Sequence, residues 1–213
     1  MASPVGTRRA ESRSTRKRRA IMEAATSLFL RQGYQGTSMD QVAGLAAVSK
    51  QTVYKHFADK YQLCRAIVLD VAGTVDSFVA ALAVLQETAD LEQDLGELAR
   101  WYIRSVTQPR VLQLRRLVIA EARRFPELGR TYYETVPQRS IDALATCQQH
   151  LNERGLLQLE EPQLAACHFA YLVLSIPLDR AMVCGEDEPF PPAELDHFAD
   201  AAVRVFLAAY GKH

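Results

Sequence analysis

Glycine (10 residues) and proline (9) are too sparse in this 213-residue chain for a collagen-like or low-complexity protein, and no repeat recurs at a solenoid period. Cysteine is equally thin. Cys64, Cys147, Cys167 and Cys184 lie far apart without a C-x-x-C pair, and Cys167 beside His168 is too little for a metal site, so four buried thiols are expected, with no metal and no cofactor. Also missing is an apolar run long enough for a bilayer. The longest, 164–178, contains Cys167, His168, Ser175 and Pro177 and falls short of the roughly 20 residues required. No apolar segment follows the polar, basic start, so a cytoplasmic protein without a membrane span is expected. The motifs of nucleophilic, nucleotide-dependent and metal-assisted catalysis are absent as well, and no catalytic residue is nominated. The acidic run Glu186-Asp187-Glu188 reads as a solvated loop, because a catalytic carboxylate pair needs a pocket and a perturbed pKa.

Hydrophobic residues make up 48% of the chain, enough for a core, and disorder is excluded as the dominant state. Net charge is zero, but its distribution is not even. Residues 1–60 hold 11 Lys/Arg against 4 Asp/Glu, and the remainder carries the opposite excess. A basic end that attracts nucleic acid, followed by a second domain with another task, accounts for that split.

Residues 1–14 lack periodicity and read as a flexible basic tail. From there Ile21, Ala24, Ala25, Leu28 and Phe29 recur at helical spacing behind the cluster Arg16 to Arg19, up to a stop at Gly33. Ser38-Met39-Asp40-Gln41 has the form of a capping box opening a short second helix. Ser49 is a good N-cap for a third, Lys50 to about Phe57. Advancing about 100° per residue puts Val53 and Phe57 on one face of that third helix. Gln51, Lys55 and Thr52 then occupy the opposite face, with Tyr54 and His56 on its flanks. Three helices in so short a span outline a helix-turn-helix unit, with the motif at about 38–57 in a domain spanning 15–62. Gln, Lys and Thr suit base edges in the major groove, whereas Tyr and His on the flanks suit phosphates, and the free N–H groups behind Ser49 and Lys50 favour an anion.

Ala24-Ala25-x-x-Leu28-Phe29, Gly33-Tyr34-x-x-Thr37, Val42-Ala43 and Ser49-Lys50-x-x-Val53-Tyr54-x-His56-Phe57-x-x-Lys60, in that order and spacing, resemble the TetR family of bacterial transcription regulators. The resemblance implies that Thr37, Ser49, Lys50, Tyr54, His56 and Lys60 meet the DNA backbone, while Gln51, Thr52 and Lys55 read sequence. Ser38, the N-cap of the motif's first helix, completes the candidate DNA-binding set. Ala47 stands where the family usually has Gly; if that position is left-handed, Ala costs about 1 kcal/mol.

Residues 63–213 read as helices only, which makes the expected fold all-α: a helix-turn-helix head followed by a helical ligand-binding and dimerisation bundle. A long helix over 59–86 leaves the head. Others end before Pro109 and Pro126, one is kinked near Pro137, one runs from Glu161-Pro162 to about Val183 with a bend near Pro177, and the last ends near Tyr210-Gly211. Arg115-Arg116-Leu117-Val118, Arg123-Arg124-Phe125-Pro126-Glu127-Leu128 and Tyr132-Tyr133-Glu134 resemble the C-terminal domain of the AefR-like subgroup. That resemblance implies a homodimer joined by the last two helices, with Phe169, Leu172, Ile176, Phe198, Ala202, Val205 and Phe206 at the interface. It also implies a small-molecule pocket, for which Trp101, Tyr102, Arg104, Tyr132, Tyr133, Glu134, His150, His168 and Tyr171 are candidates. The function expected is repression through a palindromic double-stranded operator, released when a ligand shifts the angle of the fourth helix. A DNA-binding architectural protein without ligand response is the alternative, with an enzyme behind it.

Overall fold

The computed structural model describes residues 12–70, 72–188 and 190–212. All regular elements among them are helical, and the chain divides into two units, Met1–Ile67 and Val68–His213.

The first unit holds α1 (Arg13–Gly36), α2 (Met39–Leu45), α3 (Lys50–His56) and the first turns of α4 (Lys60–Asp70). Helix α1 begins slightly earlier than its periodicity suggests, because Ser12 caps it: the Ser12 hydroxyl accepts the Thr15 N–H at 3.1 Å. Of the flexible tail expected over 1–14, residues 1–11 lie outside the described residues, and Arg13 and Ser14 already belong to α1. Ile21, Ala25, Leu28 and Phe29 form the buried stripe of α1, and Phe29 stacks on Tyr34 at 5.7 Å. Gly33 breaks the helix with φ 73° and ψ 172°, after which one further turn runs to Gly36. That backbone region is essentially closed to residues with a Cβ. The capping box forms as read: Gln41 N–H donates to the Ser38 hydroxyl at 3.2 Å and Ser38 N–H to the Gln41 side-chain oxygen at 2.8 Å. Ala47, between α2 and α3, sits at φ 51°, left-handed without being glycine.

In the second unit α5 (Ala72–Gln86), α6 (Leu91–Val106), α7 (Pro109–Ala122), α8 (Pro126–Tyr133), α9 (Arg139–Glu153), α10 (Pro162–Cys184) and α11 (Pro192–Tyr210) enclose one core. Val71, between α4 and α5, lies outside the described residues. Four of these helices carry Pro at the first position, where the missing N–H has no partner to lose. Pro137 has the opposite effect. It has no N–H to donate from inside a helix, and the chain around it, Glu134–Gln138, widens into a π-helical turn between α8 and α9. Phe78, Leu95, Ile103, Leu144, Phe169 and Phe206 fill the core, and Arg100–Asp200 and Arg104–Asp196 pairs join α6 to α11. The expectation of four buried thiols holds for Cys64 and Cys147; Cys167 is half-buried and Cys184 exposed. Burial pushes the Cys147 thiol up to about 11.

Helix α10 is longer than the apolar run read in the sequence, and by length and composition alone it would cross a membrane. Its inner face is occupied otherwise: Ala165, Phe169, Ala170, Val173, Leu174 and Ala181 are buried in the unit. Phe169, Ala202 and Phe206, expected at a subunit interface, belong to this core, because the inner faces of α10 and α11 meet there through the edge-to-face Phe169–Phe206 pair at 5.2 Å. Phe198 is half-buried against Phe190 at 4.9 Å. Outside the core, α10 presents Leu164, Tyr171, Leu172, Ile176 and Val183, and α11 presents Val205.

Gly33 and Ala47, both at positive φ, make opposite predictions. Gly33→Ala meets open space yet is expected to lose about 1–3 kcal/mol through backbone strain alone. Ala47→Gly relieves strain and, after the entropy of the unfolded chain is counted, is expected to gain about 0.5–1 kcal/mol. Urea unfolding of the two variants checks both signs.

Candidate functional site

Helix α3 is fixed from both ends. At its start the Ser49 hydroxyl accepts the Thr52 N–H at 3.2 Å and shares a hydrogen bond with the Thr52 hydroxyl at 2.8 Å. At its end the Phe57 N–H donates to the Val53 carbonyl at 2.9 Å. Val53 and Phe57 are buried, and the Arg18 guanidinium lies 5.2 Å from the Phe57 ring centre. Gln51, Tyr54 and Lys55 consequently face outward, with Thr52 and His56 half-buried at the sides. Lys50 is exposed but occupied: its ammonium lies 2.8 and 3.0 Å from the two carboxylate oxygens of Asp40 on α2, a hydrogen bond and charge that raise its pKa. Ser38 spends its hydroxyl on the capping box.

Two of the nominated DNA-binding residues are directed inward. Thr37 is buried, and its hydroxyl donates to the Gly33 carbonyl at 2.9 Å. The Lys60 ammonium donates to the carbonyls of Tyr34 at 2.8 Å and Thr37 at 2.7 Å and lies 4.4 Å from the Tyr34 ring centre. Both satisfy backbone carbonyls left open where the chain breaks at Gly33, a role that sequence cannot distinguish from a phosphate contact.

The second unit contains a cavity of about 520 Å³. Phe78 of α5 stacks on Tyr102 at 4.4 Å and on Trp101 at 6.0 Å, and these rings form one wall. Arg115 and Ile119 of α7, Tyr132 of α8, and Pro137 and Ser140 at the π-helical turn contribute another, while α10 adds Tyr171, Leu174, Ser175 and Asp179. Of the aromatic and polar candidates nominated from sequence, Trp101, Tyr102, Tyr132 and Tyr171 line the cavity. The others do not: Arg104 pairs with Asp196, Tyr133 and Glu134 are exposed, His150 is half-buried on α9 away from the wall, and the His168 Nδ1 meets the Tyr210 hydroxyl at 2.5 Å. Arg115, Ser105 and Ser140 were not nominated. A signal existed for Arg115, because Val111, Arg115 and Ile119 recur at intervals of four residues and place one charge on an otherwise apolar helix face. Burial pushes the Tyr102 and Tyr132 phenols up, partly offset by Arg115 and, at Tyr102, by the Ser140 hydroxyl.

Residues 93–212 match the family model of the AefR-like transcriptional repressor C-terminal domain, and residues 21–67 that of bacterial regulatory proteins of the tetR family. A solved structure described as a TetR-family transcriptional regulator of Mesorhizobium loti is 44% identical, with a TM-score of 0.89, over 95% of this chain and 100% of that one. The flavonoid-responsive regulator FrrA is 28% identical with a TM-score of 0.75, over 93% of this chain and 98% of its own. Among curated relatives, the transcriptional activator FasR of Mycolicibacterium smegmatis is 34% identical over 43% of this chain and 42% of its own length. The transcriptional repressor TetR of Mycobacteroides abscessus is 32% identical over 38% and 46%. The matches thus span less than half the length of these two curated relatives. With both family models matched in order, and the helix-turn-helix and the helical bundle both formed, the chain belongs to the TetR family of bacterial DNA-binding transcriptional regulators.

Proposed function

We propose that this regulator binds a palindromic operator as a homodimer, represses transcription there, and leaves the DNA when a small molecule occupies the cavity of the second unit. The observation that carries the DNA-binding part is the outward face of α3, where Gln51, Tyr54 and Lys55 project from a helix fixed by Ser49, Val53 and Phe57. Gln51 and Lys55 read base edges, with Thr52 beside them. Tyr54, His56, Ser38, Ser49 and Lys50 contact phosphates, and Lys50 exchanges Asp40 for one. Thr37 and Lys60 hold the α1–α2 corner behind that face. Because the partner is genomic DNA, the protein acts in the bacterial cytoplasm.

The dimer reading is supported by the outer stripe of α10 with Val205 of α11. Leu164, Tyr171, Leu172, Ile176 and Val183 are exposed apolar residues of α10, Tyr171 and Ile176 also bordering the cavity, and a second copy would cover them. Ligand response is supported by the cavity and its aromatic wall; FrrA, described as flavonoid-responsive, is a relative with the same fold. Repression follows the AefR-like domain, although FasR, named an activator, shows that relatives differ in sign. A ligand releases DNA by favouring a conformation in which the two heads no longer fit half-sites one helical turn apart, and its effect is bounded by its differential affinity for the two states.

Two outcomes are expected in operator-binding assays with salt varied, and a third in thermal unfolding. Tyr54→Phe lowers affinity evenly across sequences and leaves the salt slope unchanged, since a phenol carries no charge. Lys55→Ala costs about 1–3 kcal/mol and alters base preference. Lys60→Met lowers the thermal midpoint, because the Thr37 carbonyl loses its ammonium donor and the Tyr34 carbonyl keeps the longer bond from the Thr37 N–H at 3.4 Å. If Tyr54→Phe and Lys55→Ala leave operator binding intact in a folded protein, the assignment of α3 is wrong. The double variant Leu172→Glu with Val205→Glu is expected to sediment as a monomer, and a dimer unaffected by both charges would remove this face from the interface.

A further inference from the structure

Arg115 is the feature of the cavity that packing does not explain. It is half-buried on the α7 face between Val111 and Ile119. Its polar neighbours are phenols rather than carboxylates: it hydrogen-bonds the Tyr132 hydroxyl and acts electrostatically on Tyr102. A guanidinium has five N–H donors, and taking it partly out of water without a carboxylate is unfavourable. The next residue shows what a structural arginine does here: Arg116 donates to the carbonyls of Ala181 and Glu186, each at 3.1 Å, and pairs with Asp187. Arg115 makes no ion pair among the described residues. The other charge lining the cavity, Asp179, is exposed at its margin and does not pair with Arg115.

We propose that the cavity takes an aromatic acid, with its anionic group on Arg115 and the Tyr132 hydroxyl and its ring system against the Phe78, Tyr102 and Trp101 wall. The inference rests on the ligand-cavity reading above and adds the ligand's chemical class. The planar fork of Arg115 fits a carboxylate or sulfonate through two parallel N–H donors. Tyr132, neutral at physiological pH, is free to donate a third. The anion supplies the acceptors that the protein itself does not provide, and it does so where the dielectric is low enough to strengthen the contact. A cationic ligand would have to rely on Asp179, whose exposure screens it. The aromatic lining then favours an aromatic body over a branched aliphatic one, through the ring edges and outer faces that the Phe78–Tyr102 stack leaves open.

The test uses the full chain and two fluorescent probes that share a ring system, 8-anilinonaphthalene-1-sulfonate, which is anionic, and N-phenyl-1-naphthylamine, which is neutral. Both are titrated against the wild type, Arg115→Met and Arg115→Lys. The expected result is an approximately tenfold or greater loss of sulfonate affinity in Arg115→Met, with the neutral probe within about threefold of wild type and Arg115→Lys in between. An unchanged cooperative thermal transition shows that the variant is folded, retained binding of the neutral probe then shows that its cavity is intact, and the lysine variant serves if methionine proves too disruptive. Unchanged sulfonate affinity in a variant that still binds the neutral probe overturns the anion site and leaves the cavity reading standing. If neither probe binds the wild type, the cavity reading falls and the anion site with it.

Discussion

A helix of seven residues makes too few internal hydrogen bonds to hold itself together in water, and the DNA-facing element of this protein is such a helix. Most of the first unit answers that constraint. Ser49 takes up an N–H that would otherwise be open at the start of α3, while Val53 and Phe57 supply the burial that the backbone alone cannot. Helix α2 has the same length and the same remedy, a reciprocal capping box with Met39, Val42 and Ala43 underneath. The reading face is therefore a product of its rear side. Gln51, Tyr54 and Lys55 need no partners of their own in the protein because Val53 and Phe57 already determine the rotation of the helix.

That rotation was legible in the sequence, since two apolar residues four apart leave one solution for a helix so short. The capping box was equally legible, because Ser and Gln at that spacing satisfy each other's backbone N–H groups and little else. Thr37 and Lys60 were not. A hydroxyl or an ammonium donates as readily to a carbonyl as to a phosphate oxygen, and the carbonyls concerned exist only because Gly33 breaks α1, a break whose geometry is not written in residue type. Helix starts at Pro126, Pro162 and Pro192 were visible as proline, whereas the π-helical form of the Pro137 interruption depends on the packing of α8 and α9 around it.

The cavity was read less well, for a related reason. Aromatic residues in helical bundles line cavities and fill cores with the same chemistry, so Trp101, Tyr102, Tyr132 and Tyr171 could be proposed only together with Tyr133, His150 and His168, which have other surroundings. What distinguishes a lining residue is which helix lies opposite. Arg115 and Arg116 illustrate the difficulty: adjacent identical residues separated by about 100° of helix rotation, one tied to the 181–187 segment and the other directed to the cavity. The interface residues divided in the same way. Apolar residues occur all round α10, and composition could not show that Phe169 turns toward Phe206 while Leu172 and Ile176 turn away.

The Lys60 contact has a mechanical consequence. Lys60 is the first residue of α4, and its ammonium is tied to two carbonyls at the α1–α2 corner, one of them on the residue just before α2's N-cap. The same helix continues past Ile67, where the second unit begins. A loose joint at that point would absorb displacement as slack before the head responded. With the joint pinned by a charged group on two backbone oxygens and an aromatic face, the first turn of α4 and the α1–α2 corner of the first unit are held as one piece.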